Sequence, residues 1–449
     1  MEIAEEIGEL ELQGSAVRNM GFVYYFLGHY DQAEALFQKA IKLHEQMNDE
    51  WSVASEIGNL GLVCFAREEY DLAIGKYQQC LQILERYDAK GDQARTWHDM
   101  GDAYRVKGEV EESSACFEKA IQLFNEENNH TGKAESFALL GLLYYENNQL
   151  TRAAEYLEKG LKAIDKIYAP VQRRDLMSNL ALVYIRLNRY LEAQILIEEA
   201  FKLLHEDSSE VDRAILLNNF GLLQRVTGEY ESARKNFVQC YHIRKEYGLD
   251  RETETALYNL GVICYSEHRL NEAFQYLSES LQLCKKHDWK EREGATLAVL
   301  GLVYEKLGQF TVSLKCYEKS IELLKSFHDF EGIWSNYYNL GRLYEDSLSD
   351  IEKAQCAYEE SVKYLMKVRQ RMSVEHRAAY AEDKTDVFER MVTILISKGD
   401  LKNAFIYVEM SKARALTELL LDSRMEDTEN LNSLWLTSFM KKEIKLEIE

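Results

Sequence analysis

A small residue returns every 40 positions, at Gly21, Gly61, Gly101, Gly141, Ala181, Gly221, Gly261, Gly301 and Gly341. A second follows at Ala33, Ala73, Ser113, Ala153, Ala193, Ala233, Ala273 and Ser313. A bulky apolar residue comes four later, at Phe37, Tyr77, Phe117, Leu157, Ile197, Phe237, Leu277 and Tyr317. A third small residue closes the unit at Ala40, Cys80, Ala120, Gly160, Ala200, Cys240, Ser280 and Ser320. A fixed period of this size marks a repeat array, whose units bury their apolar faces only by stacking on neighbours. That overrides the usual prior of about three globular domains for 449 residues.

Local pattern gives the unit its content. Val17, Met20, Gly21 and Tyr24 recur at three- and four-residue spacing, one apolar stripe of a helix. Gly28, with equivalents Gly108, Gly228, Gly308, Asn148 and Asn188, supplies residues that tolerate the left-handed conformation closing a helix. A second helix is predicted from about Tyr30 past Ala40, and the polar stretch Met47–Glu50 ends the unit. Each repeat thus reads as two antiparallel helices, crossing at Gly21 and Ala33, with Phe37 and Tyr24 filling the space on either side. A single proline among 449 residues leaves such helices few breakers.

Trp97, Met100, Gly101, Tyr104, Phe117 and Ala120 carry these residue types at a spacing that resembles the tetratricopeptide repeat in a 40-residue form. The resemblance implies an all-α fold, a right-handed α-solenoid of antiparallel helix pairs. Residues 1–10 are a lead-in and residues 11–368 hold nine units. Eight run to about residue 330; the ninth has one extra residue in Ser347–Ala354, so its second helix reads Ala354, Tyr358, Ser361. The family's usual proline near the end of the unit is missing; Pro170 alone falls at an inter-repeat turn.

After Tyr364 the period lapses, and a long polar helix is expected over about residues 365–384. Within residues 369–423, Gly399, Ala404, Tyr407 and Glu409 echo a turn and second helix, a divergent tenth pair. The run from Tyr380 to Val392, followed by Ala404, Phe405, Glu409, Ser411, Lys412, Ala413, Arg414, Ala415 and Leu416, resembles the segment joining tetratricopeptide arrays to CHAT domains. Those are caspase-like protease domains, so the resemblance implies a sensor or regulatory arm. Glu409 with Lys412, and Arg414 with Glu418, form helix-spaced pairs, either a charged outer face or a coupling element. Too few residues follow Leu421 for a catalytic core, and the last cysteine is Cys356. The chain is read as non-enzymatic, with a protease domain expected only in a longer native protein. Residues 424–449 read as a polar linker and a terminal helix.

Charge and motif content exclude several classes of function. A net charge of −22 disfavours nucleic acid and anionic membranes. No stretch is apolar enough to span a bilayer, and the acidic N-terminus is unlike a targeting signal. The eight cysteines follow the repeat register, with no CxxC pair, as small apolar residues of a reducing, cytoplasmic protein do. HExxH, P-loop and GxSxG motifs are absent, and no cofactor or metal is expected. The N-terminal unit lacks an obvious polar cap, which leaves self-association open.

The candidate binding residues lie two before each first small residue. Asn19, Asn59, Asn179, Asn219, Asn259 and Asn339 occupy this place; Asp99, Leu139 and Val299 interrupt it. Asparagine is a mediocre helix former, so its repeated use inside a helix calls for a reason. In the tetratricopeptide family this face lines the concave groove, where a carboxamide can satisfy both N–H and C=O of an extended peptide. The same amides could instead bond a neighbouring helix. Arg18, Arg95, Arg105, Arg186, Arg225 and Arg342 are predicted to face inward, either to pair ligand carboxylates or to form ion pairs within the array. Tyr25, Phe65, Tyr145, Tyr258, Tyr265 and Tyr338 are candidate aromatic pockets or inter-repeat packing. The continuous stretch Asn179–Asn259 is where a peptide is expected to be held best. The expected partner is a protein bound as an extended segment.

Overall fold

The computed structural model describes residues 10–165, 167–204, 209–371 and 385–422; every structural statement below concerns these. The described residues form helices in consecutive antiparallel pairs, with no strand. The chain divides into two compact units, one ending at Asn236 and the other beginning at Phe237.

The first unit holds α1 (Leu10–Phe26), α2 (Tyr30–Gln46), α3 (Glu50–Ala66), α4 (Tyr70–Leu84), α5 (Lys90–Lys107), α6 (Val110–Glu126), α7 (His130–Glu146), α8 (Leu150–Ala163), α9 (Pro170–Arg186), α10 (Tyr190–Lys202) and α11 (Glu210–Val226). The first helix of each pair ends as the sequence leads one to expect. Gly28 stands at φ +77°, His29 N–H bonds Tyr24 C=O at 2.9 Å, and Gly28 N–H bonds Tyr25 C=O at 3.0 Å. These are the two hydrogen bonds of a Schellman stop. Gly108, Asn148, Asn188 and Gly228 repeat the positive φ, and so does Glu68, which residue type alone does not reveal. Between pairs, Asn48, Asp88 and Asn128 also adopt the left-handed conformation. The next helix is capped by side chains: Asp49 accepts from Ser52 N–H at 3.1 Å and Asn129 from Gly132 N–H at 2.9 Å.

The helix crossing explains the 40-residue glycine. A Cβ at Gly21 would lie 2.7 Å from the Phe37 ring, at Gly101 2.9 Å from Phe117, and at Gly141 2.6 Å from Leu157. The bulky residue therefore lies directly over the glycine rather than to one side of it, which sharpens the sequence expectation. Ser113 Oγ adds a bond to the Gly101 carbonyl at 2.8 Å, so the second small residue ties the same crossing. Met20 is more exposed than its register equivalents Leu60, Met100 and Leu140, because α1 has no described helix pair before it.

Helix α12 (Tyr230–Glu246) spans the division between the units. The second unit continues with α13 (Asp250–Ser266), α14 (Leu270–Lys286), α15 (Lys290–Lys306), α16 (Phe310–Ser326), α17 (Phe330–Arg342) and α18 (Ile351–Arg371). The extra residue of the ninth repeat is absorbed in a π-helical turn, Leu343–Ser347, where Leu348 N–H reaches back to Leu343 C=O at 3.1 Å. The pairing then resumes in the shifted register, with Ala354 and Tyr358 fully buried and Ser361 Oγ bonded to Trp334 C=O at 2.9 Å. The separate polar helix expected after Tyr364 begins instead as part of α18, since no breaker lies between Tyr364 and Arg371; residues 372–384 lie outside the described residues.

Helices α19 (Asp386–Ser397) and α20 (Leu401–Asp422) form the hairpin that Gly399, at φ +77°, was expected to turn. Val387, Phe388, Met391, Ile394 and Leu395 of α19 join one core with Ala354, Tyr358, Val362 and Leu365 of α18. The lead-in of residues 1–9, the residues from 423 onward, and the side chains of Lys412, Arg414 and Glu418 lie outside the described residues.

Candidate functional site

The face built by the first helices of successive pairs is where the candidate residues fall, and most of its charge is spent inside the array. In the first unit Arg18 pairs with Glu56, which is fully buried and also accepts from Asn59 Nδ2 at 3.0 Å. Asn59 and Arg18 together hold a buried carboxylate, the arrangement a buried charge requires. Arg95 pairs with Asp92 on its own helix. Arg105 donates to Asp102 at 2.8 Å and to Glu146 of the next repeat at 2.6 Å. Arg186 bonds Asn148 Oδ1 at 2.9 Å and lies 5.3 Å over the Tyr145 ring. Arg225 differs: it is half-buried, and its Nε is buried with no hydrogen-bond partner among the described residues.

The asparagines are not equivalent. Asn19 is exposed and Asn179 half-buried. Asn219 is buried and donates to Ser178 Oγ at 2.8 Å and Ser178 C=O at 3.3 Å, while its own carbonyl accepts from Asn218 at 3.2 Å. Its amide is committed within the array. Asp99, in the same slot, is half-buried, and burial pushes its carboxyl up to about 7. Tyr25 and Phe65 pack beside Tyr30 and Tyr70, at 6.0 and 5.6 Å between ring centres.

In the second unit Asn259 is buried and Asn339 half-buried. Tyr258 and Tyr265 are half-buried, and burial raises the Tyr265 phenol. Arg342 donates to Glu305 at 2.9 Å and lies 5.7 Å over the Tyr338 ring. The Tyr338 hydroxyl in turn bonds Asp386 of α19. Arg390 of α19 gathers Glu345 at 2.8 Å, Asp346 at 3.1 Å and Asp386 at 3.1 Å, so the π-turn presents the two acids that tie the C-terminal hairpin to the ninth repeat.

Where the asparagine slot is filled by Leu139, the face of the first unit opens instead. A cavity of about 270 Å³ lies across α5, α7 and α9. Ala134, Ala138, Leu139 and Leu176 form its apolar wall; His98, Glu135, Gln172 and Asp175 form its polar one. None of these polar residues was singled out in the sequence. The available signal was the coincidence of Leu139 with Ala138, a small residue in the slot held by Arg18 and His98 in other repeats. Gln172 Nε2 donates to Glu135 Oε1 at 3.2 Å. Arg174, buried beside the cavity, donates to Asp175 at 2.9 and 2.8 Å and to Asp212 at 2.8 Å. A second cavity, about 540 Å³, lies in the second unit against Tyr337, Tyr344, Lys325, Lys353 and Cys356. No group of three or more metal-ligating side chains occurs among the described residues. No described helix is long and apolar enough to cross a membrane.

Paired helices closed by Schellman turns, with a small residue under a bulky one at each crossing, define a tetratricopeptide-repeat protein. Residues 16–247 match the MalT-like TPR region, and tetratricopeptide-repeat matches continue at 212–286, 252–326 and 292–367. The first match spans more than half of the chain, which belongs to the MalT-like TPR family. No curated protein sequence matches it significantly. Among solved structures, a Rap protein complexed with competence and sporulation factor is similar at 15% identity and a TM-score of 0.58, over 81% of this chain and 100% of that one. The apo form of RapI is similar at 15% identity and 0.56, over 80% and 99%. A STAND protein with a tetratricopeptide repeat sensor, from Pyrococcus horikoshii, is similar at 15% and 0.51, over 75% and 53%. These likenesses concern the fold.

Proposed function

We propose that the chain is a protein-interaction scaffold that holds an extended segment of a partner protein along the first-helix face of its first unit. The observation that carries this reading is the cavity across α5, α7 and α9: it interrupts a face whose other charged groups are mostly satisfied by one another. A face closed by its own ion pairs is a structural surface, whereas an open recess with unused acceptors has something to offer a ligand. The Rap neighbour is itself complexed with a factor, which agrees with binding in a fold of this kind. Asn19, which is exposed, and Asn179, which is half-buried, remain the candidates for gripping peptide backbone at ~0.5–1.5 kcal/mol per bond, since Asn59 is given to Glu56 and Asn219 to Ser178.

Selection of random linear dodecapeptides on the purified chain tests this. Enriched peptides should slow amide hydrogen exchange in α5, α7 and α9. Failure to enrich any sequence, or protection confined to other helices, would refute the assignment. In its fuller form the chain is the sensor arm of a tetratricopeptide–CHAT protein, with the Arg390 contacts coupling the array to a protease domain on its C-terminal side. A native protein whose intact mass ends at Glu449 would remove that fuller form.

A further inference from the structure

We infer that the recess at Leu139 is a lysine pocket: it takes the primary ammonium of a lysine side chain carried by the bound segment. This deepens the proposed function and rests on it.

His98 Nδ1 lies 2.9 Å from Ser136 Oγ, and that hydroxyl donates its one proton to Gly132 C=O at 3.0 Å. With that proton given to Gly132, Ser136 accepts from the histidine, the assignment that places the imidazole proton on Nδ1. Burial holds His98 below its usual pKa, which favours the neutral ring, and in this tautomer Nε2 is an acceptor. Gln172 has turned its amide N–H toward Glu135, which leaves its carbonyl oxygen as the free end. Glu135 has one carboxylate oxygen engaged by that amide, and Asp175 has one engaged by Arg174. What each polar residue of the wall has left is an acceptor.

Charge points the same way. One guanidinium, Arg174, is divided between Asp175 and Asp212, and Glu135 has no cation partner among the described residues. Burial, with a smaller contribution from Asp212, raises the Asp175 carboxyl against the pull of Arg174. A carboxylate or phosphate would meet only lone pairs and negative charge here. A neutral apolar side chain would cover these acceptors without offering any of them a donor. An ammonium brings three donors and no acceptor, and its four-carbon stem suits the wall of Ala134, Ala138, Leu139 and Leu176.

The test uses blocked nonapeptides of alanine and serine with lysine, norleucine or glutamate at the centre, titrated calorimetrically into the full chain. Norleucine keeps the stem and removes the charge. Lysine should bind at least about tenfold more tightly than norleucine, each charge-assisted bond contributing on that order, and glutamate should not bind. Glu135→Gln with Asp175→Asn should erase the lysine preference, while Arg174 keeps Asp212 as its carboxylate partner and circular dichroism checks that the fold is retained. Ala138→Phe keeps every charge but fills the recess, and should abolish lysine binding with helicity and melting unchanged. Norleucine binding as tightly as lysine would overturn the lysine pocket while leaving the peptide-binding face intact. A lysine preference that survives Ala138→Phe would overturn it too, since the attraction would then come from the general acidity of the surface. Absence of binding by all three, together with no enriched dodecapeptide, would overturn both readings.

Discussion

At the scale of single residues, Asp99 shows what the asparagine slot demands. Six other repeats place an amide there; the third places a carboxyl that burial pushes up to about 7. The folded-state pKa lies above that of an unfolded aspartate, near 4. The folded state therefore binds the proton more tightly, and the associated stability is fully present below about pH 4 and lost as pH rises through about 7. Asp99→Asn should accordingly stabilise the chain by about 1–3 kcal/mol at pH 8, and the gain should vanish toward pH 4. Chemical denaturation of both proteins at the two pH values measures it; a gain independent of pH would mean that Asp99 is not the titrating group. The same residue marks what sequence could and could not reveal about this face. The slot was legible from its period. That Asn219 would close on Ser178 while Leu139 leaves a recess was not, because the outcome depends on what the first helix of the preceding repeat supplies: the Ser178 hydroxyl of α9 for Asn219, but for the apolar Leu139 the His98 ring of α5, which bonds Ser136.

Elements follow more directly from the chain, because each boundary has a local cause. Left-handed residues stop the helices at Gly28, Gly108 and Asn148, and Asp or Asn side chains start the next ones at Asp49 and Asn129. Glu68 and His268 escape such a reading: neither is glycine or asparagine, yet both close a helix at positive φ. The π-turn was visible only as an extra residue, and its location within Leu343–Ser347 depends on Ala354 regaining register with Trp334. The crossing glycines give the element-scale prediction. Gly141→Ala would set a Cβ 2.6 Å from Leu157, a side chain pinned at 1% exposure. The cost should be about 1–3 kcal/mol, the usual range for overpacking a dense core. The fifth repeat already carries an alanine at this crossing, Ala181, with isoleucine Ile197 in the bulky slot and both fully buried. Adding Leu157→Ile to Gly141→Ala should therefore recover part of the loss. Thermal melts of the two variants decide the matter, and a single substitution without effect would show that the crossing has slack.

At the scale of the whole molecule the governing quantity is the net charge of −22, carried by a surface without metal clusters among its described residues. The sequence alone left the inward arginines open to two uses, ion pairs within the array or ligand carboxylates. Pairings with Glu56, Glu146 and Glu305 spend three of those cations on the protein's own acids. What is left over is negative, and it acts at two ranges. Beyond a Debye length of about 8 Å at physiological salt the acidic surface contributes little, yet at low salt it draws a cationic segment inward and speeds encounter. At the recess Glu135 and Asp175 act at contact distance, well inside a Debye length. Raising salt from about 50 to about 500 mM should therefore slow association of the lysine nonapeptide several-fold while changing dissociation little. Glu135→Gln with Asp175→Asn should do the reverse, speeding dissociation at every salt concentration. Stopped-flow kinetics separate the two rates. If salt acted mainly on dissociation, the contact would be an ion pair on the open surface, and the half-buried His98 and Gln172 would have no part in holding the ligand.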